Sequence, residues 1–97
     1  MKKQATRPKV KAKAFVVGMA YFIRTVTYHL TGRVKAIDGQ FLIMEEAAWI
    51  ADSGRFSEAI NDGTLNEVEP VNVDVNVNLN SITDAFVWKH ELPRVQR

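Results

Sequence analysis

The sequence contains no cysteine and only two histidines, His29 and His90. The absence of thiols excludes disulfides, cysteine-ligated metal clusters and a cysteine nucleophile. Two separated histidines are too few for a typical zinc site. Nothing in the sequence places a nucleophile or a paired carboxylate beside either histidine, and no glycine-rich phosphate loop is present. We therefore expect no metal, no cofactor, no small-molecule substrate and no enzymatic activity.

Long apolar runs are also missing. The longest stretch with few polar side chains, residues 14–23, has only ten residues, whereas a membrane-spanning helix needs about 20. Although a basic segment precedes this run, Arg24 and a strand-like segment follow it where a secretory signal would have its cleavage site. The sequence therefore predicts a cytoplasmic protein that is neither secreted nor membrane-bound.

Acidic residues are absent from the first third of the chain. Nine Lys and Arg residues precede Asp38, and from Asp38 to Asp74 nine acidic residues accompany a single cation, Arg55. We predict that residues 1–13 form a flexible basic arm and that residues 14–97 form one folded domain, since 97 residues are too few for two cores. Basic segments of this kind commonly contact nucleic acid or other anions, and a solvated tail is the alternative.

The folded part has the residue pattern of strands. Residues 15–31 are rich in β-branched and aromatic types, and the segment from Phe22 to Leu30 predicts a mostly one-sided strand. Gly18 marks either a bend or the region of a short helix. Asp38 and Gly39 form a hairpin-turn dipeptide, in which we expect both to be structural, and residues 40–50 resume an apolar run. The sequence thus predicts a β-hairpin with a long second arm.

The second half of the domain combines a short helix with further strands. Residues 53–62 show helical spacing, with Asp52 or Ser53 as the cap and Gly63 as the stop. Residues 71–80 then alternate strictly between apolar and polar side chains, which predicts one continuous strand. A last strand follows from residue 82, giving about five strands. The alternating strand places five apolar residues on one face: Val71, Val73, Val75, Val77 and Leu79.

One hairpin resembles a known family. In residues 32–47 a glycine, alternating apolar residues, the turn residue Asp38 and a long apolar strand recur at the spacing of the first Sm motif. The sequence Asn80-Ser81-Ile82 is similar to part of the second motif. On these residues the chain resembles the Sm-like (Hfq-like) proteins, in particular small members carried by bacteriophages.

The resemblance implies a fold, an assembly and a set of site residues. It implies an all-β, strongly bent, five-stranded open barrel with a helical insertion, in a homo-oligomeric ring of five to seven subunits. The alternating strand (Val71, Val73, Val75, Val77, Leu79) would then be the interface strand. The candidate RNA-binding residues are Gln40, Phe41, Asn78 and Asn80 for bases, and Arg24, Arg33 and Lys35 for phosphates.

Two functions fit this sequence. The first is a ring that binds single-stranded RNA as a scaffold or chaperone in RNA metabolism, with the basic residues contacting phosphates. The second is a protein-interaction or structural ring, of the kind a phage encodes, that binds no nucleic acid. The pocket residues depart from the family pattern, because Gln40 is not aromatic and Leu42 cannot hydrogen-bond a base, and this departure favours the interaction ring. The basic first third and the resemblance itself favour RNA binding, which we take as the predicted function, with the interaction ring as the alternative.

Overall fold

The computed structural model describes residues 14–97; residues 1–13, predicted as a flexible basic arm, lie outside the described residues. Elements in chain order are β1 (Ala20–Thr25), β2 (His29–Asp38), β3 (Phe41–Asp52), α1 (Phe56–Asp62), β4 (Glu67–Pro70), β5 (Val75–Asn78), a 3₁₀ turn (Leu79–Ser81) and β6 (Ile82–Val87). The prediction of a β-rich fold with one short helical insertion is confirmed for this part of the chain. It has six strands rather than the five expected.

The strands form one antiparallel sheet in the order β4-β3-β2-β1-β6. The long strand β3 pairs with β2 along one side. Along its other side it pairs first with β5 and then with β4. The sheet is open, because its outer strands do not pair with each other in the described residues.

Irregularities in the β2–β3 pairing bend the sheet. The partner register shifts around Gly32 and again around Lys35. Opposite the first shift, Glu46 adopts a left-handed backbone conformation with a φ of 51°, which is uncommon outside glycine. A Cβ on Gly32 would lie 3.1 Å from Met44 Cε and 3.3 Å from Ala47 Cβ, tighter than ordinary van der Waals contact. The absence of a side chain at residue 32 therefore lets the two strands approach closely at the bend.

Each face of the sheet carries its own apolar core. The helix-side core comprises Ala20, Phe22, Ala48, Ile50, Ala59, Leu65, Val68, Trp88 and Leu92. The opposite core, here called the strand-side core, comprises Tyr21, Ile23, Leu30, Val34, Leu42, Met44, Ala47 and Val77. Because Phe22 and Ile23 are both fully buried, β1 is covered on both faces. The one-sided strand predicted for residues 22–30 is therefore wrong, and a turn at residues 26–28 interrupts it.

The helix begins later than predicted and ends where expected. Arg55 precedes its first turn without a side-chain cap, so neither Asp52 nor Ser53 is the N-cap. Asp52 instead ends β3, opposite Glu67 of β4, because strand pairing extends that far along the chain. Gly63 ends the helix in the left-handed conformation with a φ of 76°, which confirms the predicted stop.

The alternating segment 71–80 is not one strand. The Val71 N–H still donates to the Ala47 carbonyl of β3 at 2.9 Å, after which the chain leaves β3 and rejoins it at Val75. The bend at Glu46 lies between these two stretches of β3, so a single straight strand cannot follow both. Val71 and Val73 are consequently exposed, at 40% and 64%. The later members Val75, Val77 and Leu79 do pack in the strand-side core, as predicted for the apolar face.

Candidate functional site

Arg24, a predicted phosphate contact, is bound to a carboxylate of its own chain. Its Nε and Nη2 donate to the two carboxylate oxygens of Asp84 at 2.8 and 2.6 Å. The guanidinium carbon also lies 4.7 Å from the ring centroid of Phe56 and 5.6 Å from that of Phe86. The hydrogen bond from Arg24 holds the pKa of Asp84 below its usual range. Arg24 therefore links β1 to β6 and to the helix.

Arg33 is occupied in a similar way at the bend of β3. Its Nε donates to Glu46 Oε2 at 2.9 Å, and its Nη1 donates to the carbonyl of Gly18 at 3.0 Å. Arg94 Nη2 donates to the other Glu46 oxygen at 3.0 Å. The hydrogen bond from Arg33, followed by that from Arg94, lowers the pKa of Glu46. Both arginines therefore bind the side chain of Glu46, the one non-glycine residue among residues 14–97 whose φ is positive.

Lys35 completes the set of predicted phosphate contacts. Its Nζ donates to Asp74 Oδ2 at 2.7 Å, and this hydrogen bond raises the pKa of the lysine. All three cations predicted to contact RNA thus have a carboxylate partner within the described domain. Residues 14–97 contain seven Lys and Arg against eleven Asp and Glu, a formal charge of −4. The chain's excess of positive charge resides in residues 1–13.

The four predicted base contacts, Gln40, Phe41, Asn78 and Asn80, do lie together, and we call them the amide end. Phe41 pairs with Asn78 across β3 and β5, and the Leu79 N–H donates to the Gln40 carbonyl at 2.8 Å. Asn78 Oδ1 accepts from the Asn80 N–H at 2.9 Å and thereby caps the 3₁₀ turn. Asn80 Nδ2 donates to Gln40 Oε1. The contacts follow from the β2–β3 turn, where Gly39 has a φ of 59° and Asp38 pairs with Phe41.

The amide end has the chemical groups that a base would require. Phe41 is 46% exposed, and exposed aromatic side chains can stack on bases. The amide oxygen of Gln40 is already bonded to Asn80, whereas within residues 14–97 its amide nitrogen has no hydrogen-bond partner. The arrangement combines an open aromatic ring with nearby amide groups, but none of the three paired cations belongs to it.

A second feature is an apolar cleft on the strand-side face. It encloses about 170 Å³ and is lined by Tyr28, Leu30, Ala47, Ala48, Trp49, Val71 and Val75. Leu30, Ala47 and Ala48 are buried, whereas Tyr28 and Trp49 stand 36% and 47% exposed. The cleft is thus an open end of the strand-side core with two aromatic side chains at its rim. The sequence showed the aromatics but did not show that the bend at residues 71–74 leaves this cleft uncovered.

A larger polar cleft adjoins the apolar one. It encloses about 820 Å³ and shares Ala47 and Val71 with the apolar cleft. Its carboxylates are Glu45, Glu46 and Asp74, of which the last two are ion-paired. Glu69 lies directly across from Trp49 in the β3–β4 pairing. Glu45, Glu46 and Asp74 thus line the polar cleft rather than the apolar one.

The histidines have structural surroundings. His90 Nε2 lies 2.9 Å from the Ile60 carbonyl, and the His29 ring packs edge-on against Phe22. Among residues 14–97 no group of three or more His, Cys, Asp or Glu side chains is placed to hold a metal ion. No helix in the same range is long and apolar enough to cross a membrane.

Comparisons with known proteins give no relative. No family model matches the chain, and neither a curated protein nor a solved structure matches it significantly.

Proposed function

We propose that this chain is a non-enzymatic subunit that assembles edge to edge into an Sm-like ring, and that the ring is a protein-interaction scaffold. The observation that carries the proposal is the pattern of free strand edges. Within the described residues β5 pairs only with β3, and β6 pairs only with β1. Unpaired strand edges are templates for pairing with another chain, and ring closure covers them.

The third outer edge, that of β4, pairs with the end of the described chain. The Val68 N–H of β4 donates to the Arg97 carbonyl at 3.2 Å, and the Arg97 N–H donates back to Val68 at 3.0 Å. The chain therefore covers the β4 edge itself and leaves those of β5 and β6 for a neighbour. In the family that the hairpin resembles, the fourth strand pairs with the fifth strand of the next subunit. Here β5 and β6, joined by the 3₁₀ turn, stand in the places of those two strands.

Strand order supports the finer, barrel-like description. β1 lies between β2 and β6, and β3 pairs with both β2 and β5. With a bent β3, the same order, in which β6 pairs with β1 and the 3₁₀ turn joins β6 to β5, is compatible with a small barrel that stays open between β5 and β6. We propose this barrel geometry for the subunit within the ring.

Charge favours a scaffold over an RNA-binding surface. Nucleic-acid affinity comes largely from unpaired Lys and Arg against phosphates. In the folded domain, Arg24, Arg33 and Lys35 are committed to carboxylates, and the formal charge of residues 14–97 is −4. Such a surface repels phosphates on average.

RNA binding is a second candidate, favoured by one specific observation. The amide end places the exposed ring of Phe41 beside the Gln40 and Asn80 amides, a combination suited to a single-stranded base. Phosphate contacts would then come from residues 1–13, which contain six Lys and Arg and no acid.

The mass in solution tests the ring. Light scattering at micromolar concentration should give the mass of several subunits of 11.0 kDa each. A mass of 11.0 kDa, that of a single subunit, would refute assembly. The Leu79 N–H points toward β3, so by alternation the Asn76 N–H faces the free edge. Asn76→Pro should therefore leave the subunit folded and lower the mass, because proline removes an edge donor. Asn76→Ala, which keeps this N–H, is the matched control and should assemble normally.

Titration with RNA separates the two candidates. The full chain and a variant lacking residues 2–13 are titrated with short oligo-U and oligo-A at two salt concentrations. Binding that weakens steeply with salt and loses most of its salt slope on deletion supports the RNA candidate. Absence of binding at about 50 mM salt leaves the interaction scaffold.

A further inference from the structure

The edge of β4 is covered by residues 92–97, here called the strap. Leu92 and Pro93 are buried, and Leu92 belongs to the helix-side core, so the strap starts from a fixed point. Beyond them, residues 94–97 are all exposed. Polar contacts rather than apolar burial therefore hold this half of the strap to the fold.

These polar contacts form a short antiparallel pairing. The Val68 N–H donates to the Arg97 carbonyl and the Arg97 N–H donates back to the Val68 carbonyl, which is the reciprocal pair of an antiparallel ladder. An antiparallel register places Arg94 opposite Val71, whose N–H is bonded to β3. Arg94 accordingly reaches β3, where its Nη2 lies 3.0 Å from Glu46 Oε1. The pairing thus sets a cation three residues before the reciprocal pair.

The surface beneath the strap has acceptors for two cations. Arg97 Nη1 donates to the Leu65 carbonyl at 3.0 Å, and Arg94 binds one carboxylate oxygen of Glu46. Glu46 lines the polar cleft together with Glu45, which has no ion-pair partner within residues 14–97. This surface therefore fits an extended segment that has two arginines at this spacing.

The exposed half of the strap is weakly held. The Arg94 side chain is 62% exposed in its ion pair with Glu46, and ion pairs exposed to solvent contribute little to stability. Two backbone hydrogen bonds and one from the Arg97 guanidinium must offset the conformational entropy of four ordered residues. We therefore expect residues 94–97 to open locally without global unfolding. Opening leaves the N–H and the carbonyl of Val68 as a free strand edge.

We propose that the β4 edge is an interaction site, at which an extended segment of a partner protein with two arginines three residues apart displaces residues 94–97. The partner segment pairs antiparallel with Val68, and its first arginine replaces Arg94 on Glu46. Such strand addition is a common mode of peptide recognition. Because the tethered strap competes at a high effective concentration, a segment that lacks either arginine competes poorly. The site uses β4, so it does not depend on ring contacts through β5 and β6.

Fluorescence anisotropy of a labelled peptide, Thr-Thr-Arg-Thr-Thr-Arg-Thr-Thr, tests the proposal on the full chain. Its threonines favour extended structure and supply none of the strap's apolar residues. Arg97→Pro removes the N–H that donates to Val68 and also the guanidinium, so the strap competes less. The peptide should then bind at least about fivefold more tightly than to the wild type. Gln96→Pro is the matched control and should bind like the wild type, because the Gln96 N–H makes no hydrogen bond to the backbone within residues 14–97.

Arginine spacing and strand pairing are measured separately. A peptide of the same composition with adjacent arginines should bind at least about fivefold more weakly, because it cannot reach both acceptors. Amide exchange, followed by NMR on a chain with isotopically labelled valines, reports the pairing itself. In Arg97→Pro, bound peptide should slow exchange of the Val68 amide at least about fivefold, whereas the Val71 amide, bonded to β3, should be unaffected.

Four results would overturn the proposal. They are absence of binding to Arg97→Pro, equal affinity of the wild type and Arg97→Pro, equal affinity of the two peptides, and a Val68 amide whose exchange the peptide leaves unchanged. An Arg97→Pro chain whose mass rises and which excludes the peptide would assign the edge to a second copy and also overturn it. Asn76→Pro, which removes an edge donor of β5, should bind the peptide like the wild type. Failure of the ring and failure of this site are therefore distinguishable.

Discussion

Val77 and Val73 occupy equivalent positions in the alternating segment 71–80 but opposite environments in the structure. Val77 is fully buried in the strand-side core, whereas Val73 is 64% exposed. Val77→Ala removes two buried carbons, worth about 0.8 kcal/mol each, and leaves a cavity beside Leu42 and Met44 that adds to the cost. We expect the free energy of unfolding to fall by about 2–3 kcal/mol.

Val73→Ala is the matched control, because the chemical change is the same and little apolar surface is lost. Its cost should stay within about 0.5 kcal/mol. Urea unfolding followed by tryptophan fluorescence gives both values, and the thermal midpoint of Val77→Ala should fall by about 10–20 °C in a domain of this size. The measurement is made at two protein concentrations so that assembly does not enter the comparison. Equal destabilisation by the two substitutions would refute the assignment of residues 71–74 to an exposed crossing.

Three further predictions concern the ion pairs, the turns and the amide end. The pKa of Asp84 is lower in the folded state than in the unfolded state. The ionised carboxylate therefore stabilises the fold fully above the unfolded pKa of about 3.9, and this stabilisation is lost as the pH falls through the lower folded pKa. Asp84→Asn should therefore be less stable than the wild type at pH 7, with a gap that narrows below about pH 4 in urea unfolding; a gap independent of pH would contradict the pairing. A Cβ at Gly63 would lie 2.7 Å from the His90 ring, whereas a Cβ at Gly39 would meet nothing within 4 Å. Gly63→Ala should therefore lower the free energy of unfolding by more than the roughly 1–2 kcal/mol expected for Gly39→Ala. A larger loss for Gly39→Ala would contradict the contact between the helix end and His90. If the amide end binds bases, changing both Gln40 and Asn80 to Ala should reduce the difference in affinity between oligo-U and oligo-A, with a loss of less than about 0.5 kcal/mol in the free energy of unfolding. An unchanged difference in affinity would exclude the amide end as the base-binding site.

Part of the candidate site was accessible from the sequence. The turn at Asp38 and Gly39 and the amides of Gln40, Asn78 and Asn80 were predicted, and the structure brings these amides to one end of the sheet. The role of the cations was not accessible. Arg24 and Asp84 are 60 residues apart, and a local pattern carries no information on which distant carboxylate meets a given guanidinium.

The sequence by itself determined the features that depend on a few neighbouring residues. The hairpin at Gly39 and the helix end at Gly63 follow from glycine's tolerance of positive φ, and the strand content follows from β-branched and aromatic residues. Tertiary structure decided which part of a locally uniform pattern is buried. Val77 is enclosed and Val73 is exposed because β3 bends at Glu46, where Arg33 and Arg94 hold a left-handed backbone. Burial depends on where distant segments meet, and that is a property of the packed sheet rather than of the alternation in any one strand.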